Sequence, residues 1–254
     1  MTAPYRAVLF DLFDTLVRFD RERLPTVQLN GREVRSTVGQ LHPILARHAP
    51  HVTLDALYGA LLESWQEAER RRSIDHREVA APERFAHLFR CLGLDAGAWP
   101  PDVLQNLLDA HRRGLSGAAE FPAHHGPLLR ELADRYRLAV VSNFDYSPTA
   151  MGILEAAGVA RLFETVVVSD AVGWRKPAPA IFHTALGRLG LPAGQALFVG
   201  DRADIDVLGA QRVGMSVAWL NREGAPLPPG VAPPEYEIRD LDELRRILGT
   251  GRGI

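Results

Sequence analysis

The chain has 254 residues, 46% hydrophobic and 24% charged, enough for one large domain or a core carrying an insertion. Its net charge of -2 gives no reason to expect nucleic acid or a membrane surface as partner. Cys91 is the single cysteine, which rules out an internal disulfide and fits a reducing compartment. No stretch is apolar enough to span a bilayer and no basic-then-apolar leader is present, so a cytoplasmic protein is the expectation.

The apolar run "AVLFDLFDTLV", Ala7 to Val17, reads as a buried strand ending at Asp11, with Asp14 just beyond. In "TVQLNGREV", Asn30-Gly31 between alternating residues predicts a two-residue hairpin. Residues 36 to 120 hold no convincing strand. There Thr53 is placed to cap "LDALYGALLESWQEAERRR", Pro82 to start "PERFAHLFRCLG", and "PPDVLQNLLDAHRRG" gives a third amphipathic helix.

Beyond residue 125 the texture changes. "YRLAVVSN", "ETVVVSD", "QALFVGD" and "GMSVAWL" are short strands, each ending at a polar or loop residue, with helical patterns between them. One helix takes Ser147 as N-cap, Pro148 at its first position and Gly158 as its stop; another runs through "KPAPAIFHTALGRLG" to Gly190. "EYEIRDLDELRRIL" adds a short strand and a closing helix. Buried strands alternating with helices predict an α/β fold with a mostly parallel sheet covered on both faces. The helical block after the first strand reads as an inserted all-α domain.

In a parallel sheet, ligands bind beyond the carboxyl ends of the strands. The first strand delivers Asp11 and Thr15 there, the next Ser142 and Asn143, and the fourth Asp201 and Asp206 from "GDRADID". The loop Gly173–Pro177 adds Lys176, the only lysine among 29 basic residues. An ammonium is a compact point charge that a guanidinium does not mimic. Clustered carboxylates repel, and a divalent cation is their natural neutraliser. Cation, lysine and serine together make a phosphoryl site, and a carboxylate beside it can attack.

"DLFDTL", "VVSN", "RKPAP" and "VGDRADID", in that order, resemble the haloacid dehalogenase-like (HAD) hydrolase superfamily, in the branch with a helical cap inserted after the first core strand. The resemblance implies a Rossmann-like core over residues 1–18 and 122–254, with a flap hairpin and helical cap over 19–121. It implies Asp11 as a nucleophile forming a covalent aspartyl intermediate. Ser142, with Asn143 beside it, and Lys176 would hold the transferring phosphoryl group. Mg²⁺ would be bound by Asp11, Asp201, Asp206 and the main-chain carbonyl of Phe13, while Thr15 steadies the nucleophile's loop. The cap implies a small soluble metabolite as substrate.

Phe13 departs from the pattern, because phosphatases of the family carry a second Asp there as acid and base. Loss of a positioned acid–base group typically costs ~10²–10⁴ in rate. Asp14 reads as a turn-former facing away from the site, since neighbours in extended chain point to opposite faces. Three readings follow, in this order: a Mg²⁺-dependent phosphatase-like hydrolase, a 2-haloacid dehalogenase, and a phosphate- or metal-binding pseudoenzyme. The dehalogenases also carry an aromatic residue at that position and need no leaving-group proton, but they lack the Gly-Asp present here as Gly200-Asp201. Phosphonate-cleaving relatives need a cap lysine, which this chain does not have.

The remaining polar residues have simpler readings. Asp145 reads as a turn former, His124-His125 as a hinge without an orienting partner, and the 69–72 run "ERRR" as a solvated helix face. Trp65 and Phe85 read as cap core, and Asp204 as an N-cap.

Overall fold

The computed structural model describes residues 5–249. Six strands form one sheet in the order Tyr236–Ile238, Ser216–Leu220, Ala196–Gly200, Ala7–Phe10, Arg137–Ser142, Phe163–Val168. Every neighbouring pair is parallel, the arrangement the alternating strands and helices predict. Ala7–Phe10 lies inside the sheet, its Ala7 in register with Arg137 on one side and Ala196 on the other. Having no polar residue, this strand can bury both faces, and all four of its residues are fully buried. Helix Pro179–Leu189 covers one face: Phe182, Ala185 and Leu189 share a core with Leu9, Val141, Phe198 and Trp219. Gly190 ends that helix at φ 58° and Gly158 follows helix Ser147–Ala156 at φ 68°, both in the left-handed region that glycine favours.

The described residues fall into two compact units, one running through Arg18 and resuming at Phe121, the other Phe19–Glu120. In the second, strands Thr26–Leu29 and Arg32–Arg35 pair antiparallel about Asn30 and Gly31, at φ 49° and 74°. Two successive positive φ values are what a tight hairpin turn of this hand requires. Helices Val38–Leu45, Leu54–Asp75, Ala81–Cys91 and Pro101–Ser116 follow. The Thr53 hydroxyl accepts from the Ala56 N–H, the predicted cap. Ala119–Glu120 is a two-residue strand that the sequence reading lacks. Among the described residues no helix is long and apolar enough to cross a membrane.

Local placement corrects several expectations. The buried stripe of Leu54–Asp75 runs through Leu57, Leu61, Ser64, Ala68 and Arg72, which leaves Trp65 51% exposed while Phe85 is buried as expected. Arg72 is not solvated: its guanidinium donates to Glu69, to Glu78 and to the Val79 carbonyl, pinning the chain that turns back after the helix. Ser147 does not cap from outside its helix. Tyr146 occupies that position, and the Ser147 hydroxyl and N–H donate to Asp170. Nor does Asp204 cap its helix; it forms a two-point pair with Arg202, which holds the N-cap position.

Candidate active site

Asp11 follows the central strand directly, and its N–H donates to the Val199 carbonyl at 2.9 Å, fixing the residue where the strand ends. Lys176 is 3% exposed; its Nζ stands 2.5 Å from Oδ1 of Asp11 and 2.8 Å from Oδ1 of Asp206. The Phe198 ring lies 5.3 Å from the ammonium. Asp206 is held through its other oxygen, which accepts from the Arg202 N–H at 3.0 Å. A Cβ on Gly200 would meet the Asp206 carboxyl carbon at 2.5 Å, so this close approach requires glycine. Asp201 accepts from the Thr15 hydroxyl at 3.2 Å, and its carbonyl accepts from the Trp219 indole at 2.8 Å. Thr15 thus steadies Asp201 directly.

Ligand oxygens of Asp11, Asp201 and Asp206 lie within 4.8 Å of one another. The Lys176 ammonium pairs with two of the three, Asp11 and Asp206, and the crowding of negative charge shows in the titration of Asp11 and Asp201. Burial, reinforced by Asp206 and Asp201 and opposed by Lys176, pushes Asp11 up to about 7. Burial and the neighbouring Asp206 push Asp201 up to about 6. Burial disfavours the charge on Lys176, but Asp11 and Asp206 outweigh it and raise its pKa.

A cavity of about 200 Å³ opens on these groups, lined by Asp11, Asn143, Lys176, Asp201 and Asp206 together with Phe13 and Asp14. The Asn143 carboxamide grips the Lys176 main chain from both sides, accepting from its N–H at 2.7 Å and donating to its carbonyl at 2.9 Å. Ser142 is not part of the lining; its hydroxyl is fully buried and has no hydrogen-bond partner among the described residues. The Phe13 ring packs on Phe144 with centroids 4.9 Å apart, giving the cavity an apolar wall. Asp14 is the expected turn-former at φ 59°, yet it also lines the cavity. The left-handed turn breaks the extended alternation on which its outward orientation depended.

Arg175 and Arg202 line the cavity as well and were missed, although both sit inside the quoted motifs. The His124-His125 pair has orienting partners after all. His125 is buried with Nδ1 2.9 Å from the Leu16 carbonyl, and His124 Nε2 is 3.5 Å from Asp240. Neither histidine lines the cavity, and neither does Asp145.

The family model described as haloacid dehalogenase-like hydrolase matches residues 5–214. The chain belongs to this family of hydrolases. A glyceraldehyde 3-phosphate phosphatase of Pyrococcus abyssi (strain GE5 / Orsay) is 27% identical over 250 residues, 98% of this chain and 95% of that protein. The crystal structure of a HAD phosphatase from Thermococcus onnurineus superposes with a TM-score of 0.62 at 28% identity, covering 98% of this chain and 100% of that one. A 2-haloacid dehalogenase from Pseudomonas syringae pv. Tomato DC3000 superposes with a TM-score of 0.70 at 24% identity, over 96% and 98% of the two chains, a likeness of fold. This HAD hydrolase therefore resembles phosphatases in sequence and shares its fold with a dehalogenase.

Proposed function

We propose that this HAD hydrolase is a Mg²⁺-dependent phosphatase of a small phosphorylated metabolite, with Asp11 as its nucleophile. The observation that carries the reading is the convergence of the Asp11, Asp201 and Asp206 carboxylates, with Lys176 paired to two of them, in a cavity whose four carboxylates outnumber its three cationic side chains. Displacing a halide gives no use for that excess of negative charge. A hard divalent ion does, because it prefers oxygen ligands and neutralises what Lys176 leaves over. Asp11, Asp201, Asp206 and the Phe13 carbonyl would hold Mg²⁺, which supplies further charge compensation at the phosphoryl oxygens. The phosphatase names of the relatives support the same reading.

In the first step the Asp11 carboxylate attacks phosphorus, the ester P–O bond breaks and the leaving oxygen departs with its electron pair. Lys176 compensates charge on the transferring group. Water then attacks phosphorus of the acyl phosphate, releasing phosphate and restoring the carboxylate. Ser142, the expected phosphoryl holder, has a buried hydroxyl without a hydrogen-bond partner among the described residues but does not line the cavity, so no step is assigned to it. With Phe13 unable to donate, the leaving oxygen takes its proton from water, which favours substrates whose leaving groups are weakly basic. Residues 19–121 are assigned the cap's part, the choice of substrate.

The second reading, dehalogenation, rests on Phe13, the aromatic residue of the cavity wall, which packs on Phe144. A panel of phosphorylated metabolites and 2-haloacids, with Mg²⁺ or with chelator, separates the two. The phosphatase reading expects phosphate release that needs Mg²⁺ and is lost in Asp11→Asn. Halide release indifferent to chelator overturns it, and no turnover of any substrate leaves a binding protein.

A further inference from the structure

The helical unit carries a second group of ligating side chains that the core chemistry does not use. His87 and Cys91 stand one turn apart on Ala81–Cys91, so they share a face of that helix. Glu63 comes from Leu54–Asp75, the helix packed against it. One ligating atom of each of the three lies within 4.8 Å of the others. Nε2 of His87 is shielded from solvent and has no hydrogen-bond partner among the described residues. Beside it opens a groove of about 570 Å³ whose lining includes Glu63, Glu67 and His87. Glu67 is paired with Arg70 and is left out of the ligand set.

We propose that Glu63, His87 and Cys91 form a binding site for a thiophilic divalent cation of the zinc class. Thiolate, imidazole and carboxylate are the three donor types such an ion accepts, and the sulfur and nitrogen donors select against Mg²⁺. Bonds of about 2.0–2.3 Å place tetrahedral ligands roughly 3.5 Å apart, so the ligating atoms, now within 4.8 Å of one another, would draw closer on binding. Water from the groove takes the fourth position. The Cys91 thiol gives up its proton to solvent as the ion binds. Arg90, whose guanidinium lies 3.4 Å from Nδ1 of His87, must swing away, because a ligated ring leaves that nitrogen either protonated or occupied. The ion would clamp the two helices to each other within the unit.

The test uses the full chain with saturating Mg²⁺ and adds Co²⁺, then Zn²⁺. One equivalent of Co²⁺ should give a near-ultraviolet thiolate charge-transfer band that equimolar Zn²⁺ removes. Cys91→Ser should abolish the band, while His87→Gln and Glu63→Gln should weaken binding at least roughly tenfold. Arg90→Ala should bind as tightly as wild type or tighter, and Zn²⁺ should raise the thermal midpoint of wild type but not of Cys91→Ser. Circular dichroism confirms that each variant is folded. Absence of the thiolate band, or Zn²⁺ binding equal in His87→Gln and wild type, overturns the site.

Discussion

The side chain of Asn143 holds Lys176 by its main chain, accepting from the N–H at 2.7 Å and donating to the carbonyl at 2.9 Å. One carboxamide therefore fixes the loop that delivers the chain's single ammonium. Asn143→Ala should lower kcat by ~10–10², the scale of a misplacement of about 1 Å, with KM less affected. Asn143→Asp keeps the acceptor but turns a second oxygen on the Lys176 carbonyl, so it should be no better. Wild-type kcat in Asn143→Asp would refute this positioning role.

Lys176 is buried between Asp11 and Asp206. Lys176→Met leaves the buried carboxylates without their cation, and removal of one partner of a buried pair costs about 3–5 kcal/mol. Urea unfolding with chelator at pH 8 should show a loss of that size. Adding Asp11→Asn to the same chain should recover part of it. If Lys176→Met unfolds at the wild-type urea concentration, the ion pairs carry no stability.

The pKa shifts set a sign. Asp11 rises from 3.8 to about 7 and Asp201 from 3.8 to about 6, so the folded protein binds more protons than the unfolded chain between those values. The stability tied to these protons is full below about pH 4 and is lost as pH rises through 6 and 7. A divalent cation on the same oxygens must expel them. Calorimetric Mg²⁺ titrations at pH 6.5, in two buffers of different ionisation enthalpy, should report net proton release. A heat of binding independent of buffer argues that these carboxylates are not the ligands.

Phe13 tests the cost of the absent acid. Phe13→Asp should raise kcat on alkyl phosphates by ~10² or more while leaving aryl phosphates nearly unchanged. A plot of rate against leaving-group pKa should be steep in wild type and flatter in the variant. Equal slopes would mean that some other group already donates the proton.

Much of this is legible in the sequence alone. Asp11, Lys176, Asp201 and Asp206 announce themselves because each sits where a Val-rich strand or its loop ends, and sheet geometry then brings them to one edge. Asn30-Gly31 and Gly190 were readable because their backbone angles exclude most other residues. What stayed hidden depends on partners distant in sequence or on a single rotation. Arg72 looks like one more basic residue in "ERRR" until Glu78 and Val79 fold back onto it. Trp65 falls just outside the buried stripe of its helix, a matter of one position. His125 found its partner in the Leu16 carbonyl, a main-chain atom that no side-chain pattern reveals. Asp14 faces the cavity because one left-handed residue re-aims the chain.

The position of Ala7–Phe10 has a consequence for biosynthesis. Its two neighbours in the sheet, Arg137–Ser142 and Ala196–Gly200, both emerge from the ribosome long after it does. An apolar, strand-forming segment is thus made well before either of its partners exists, the situation in which nascent chains recruit chaperones. A chain arrested before Ala196 has no second partner for this strand, so it should remain chaperone-bound or sediment, whereas one released after Leu220 should not.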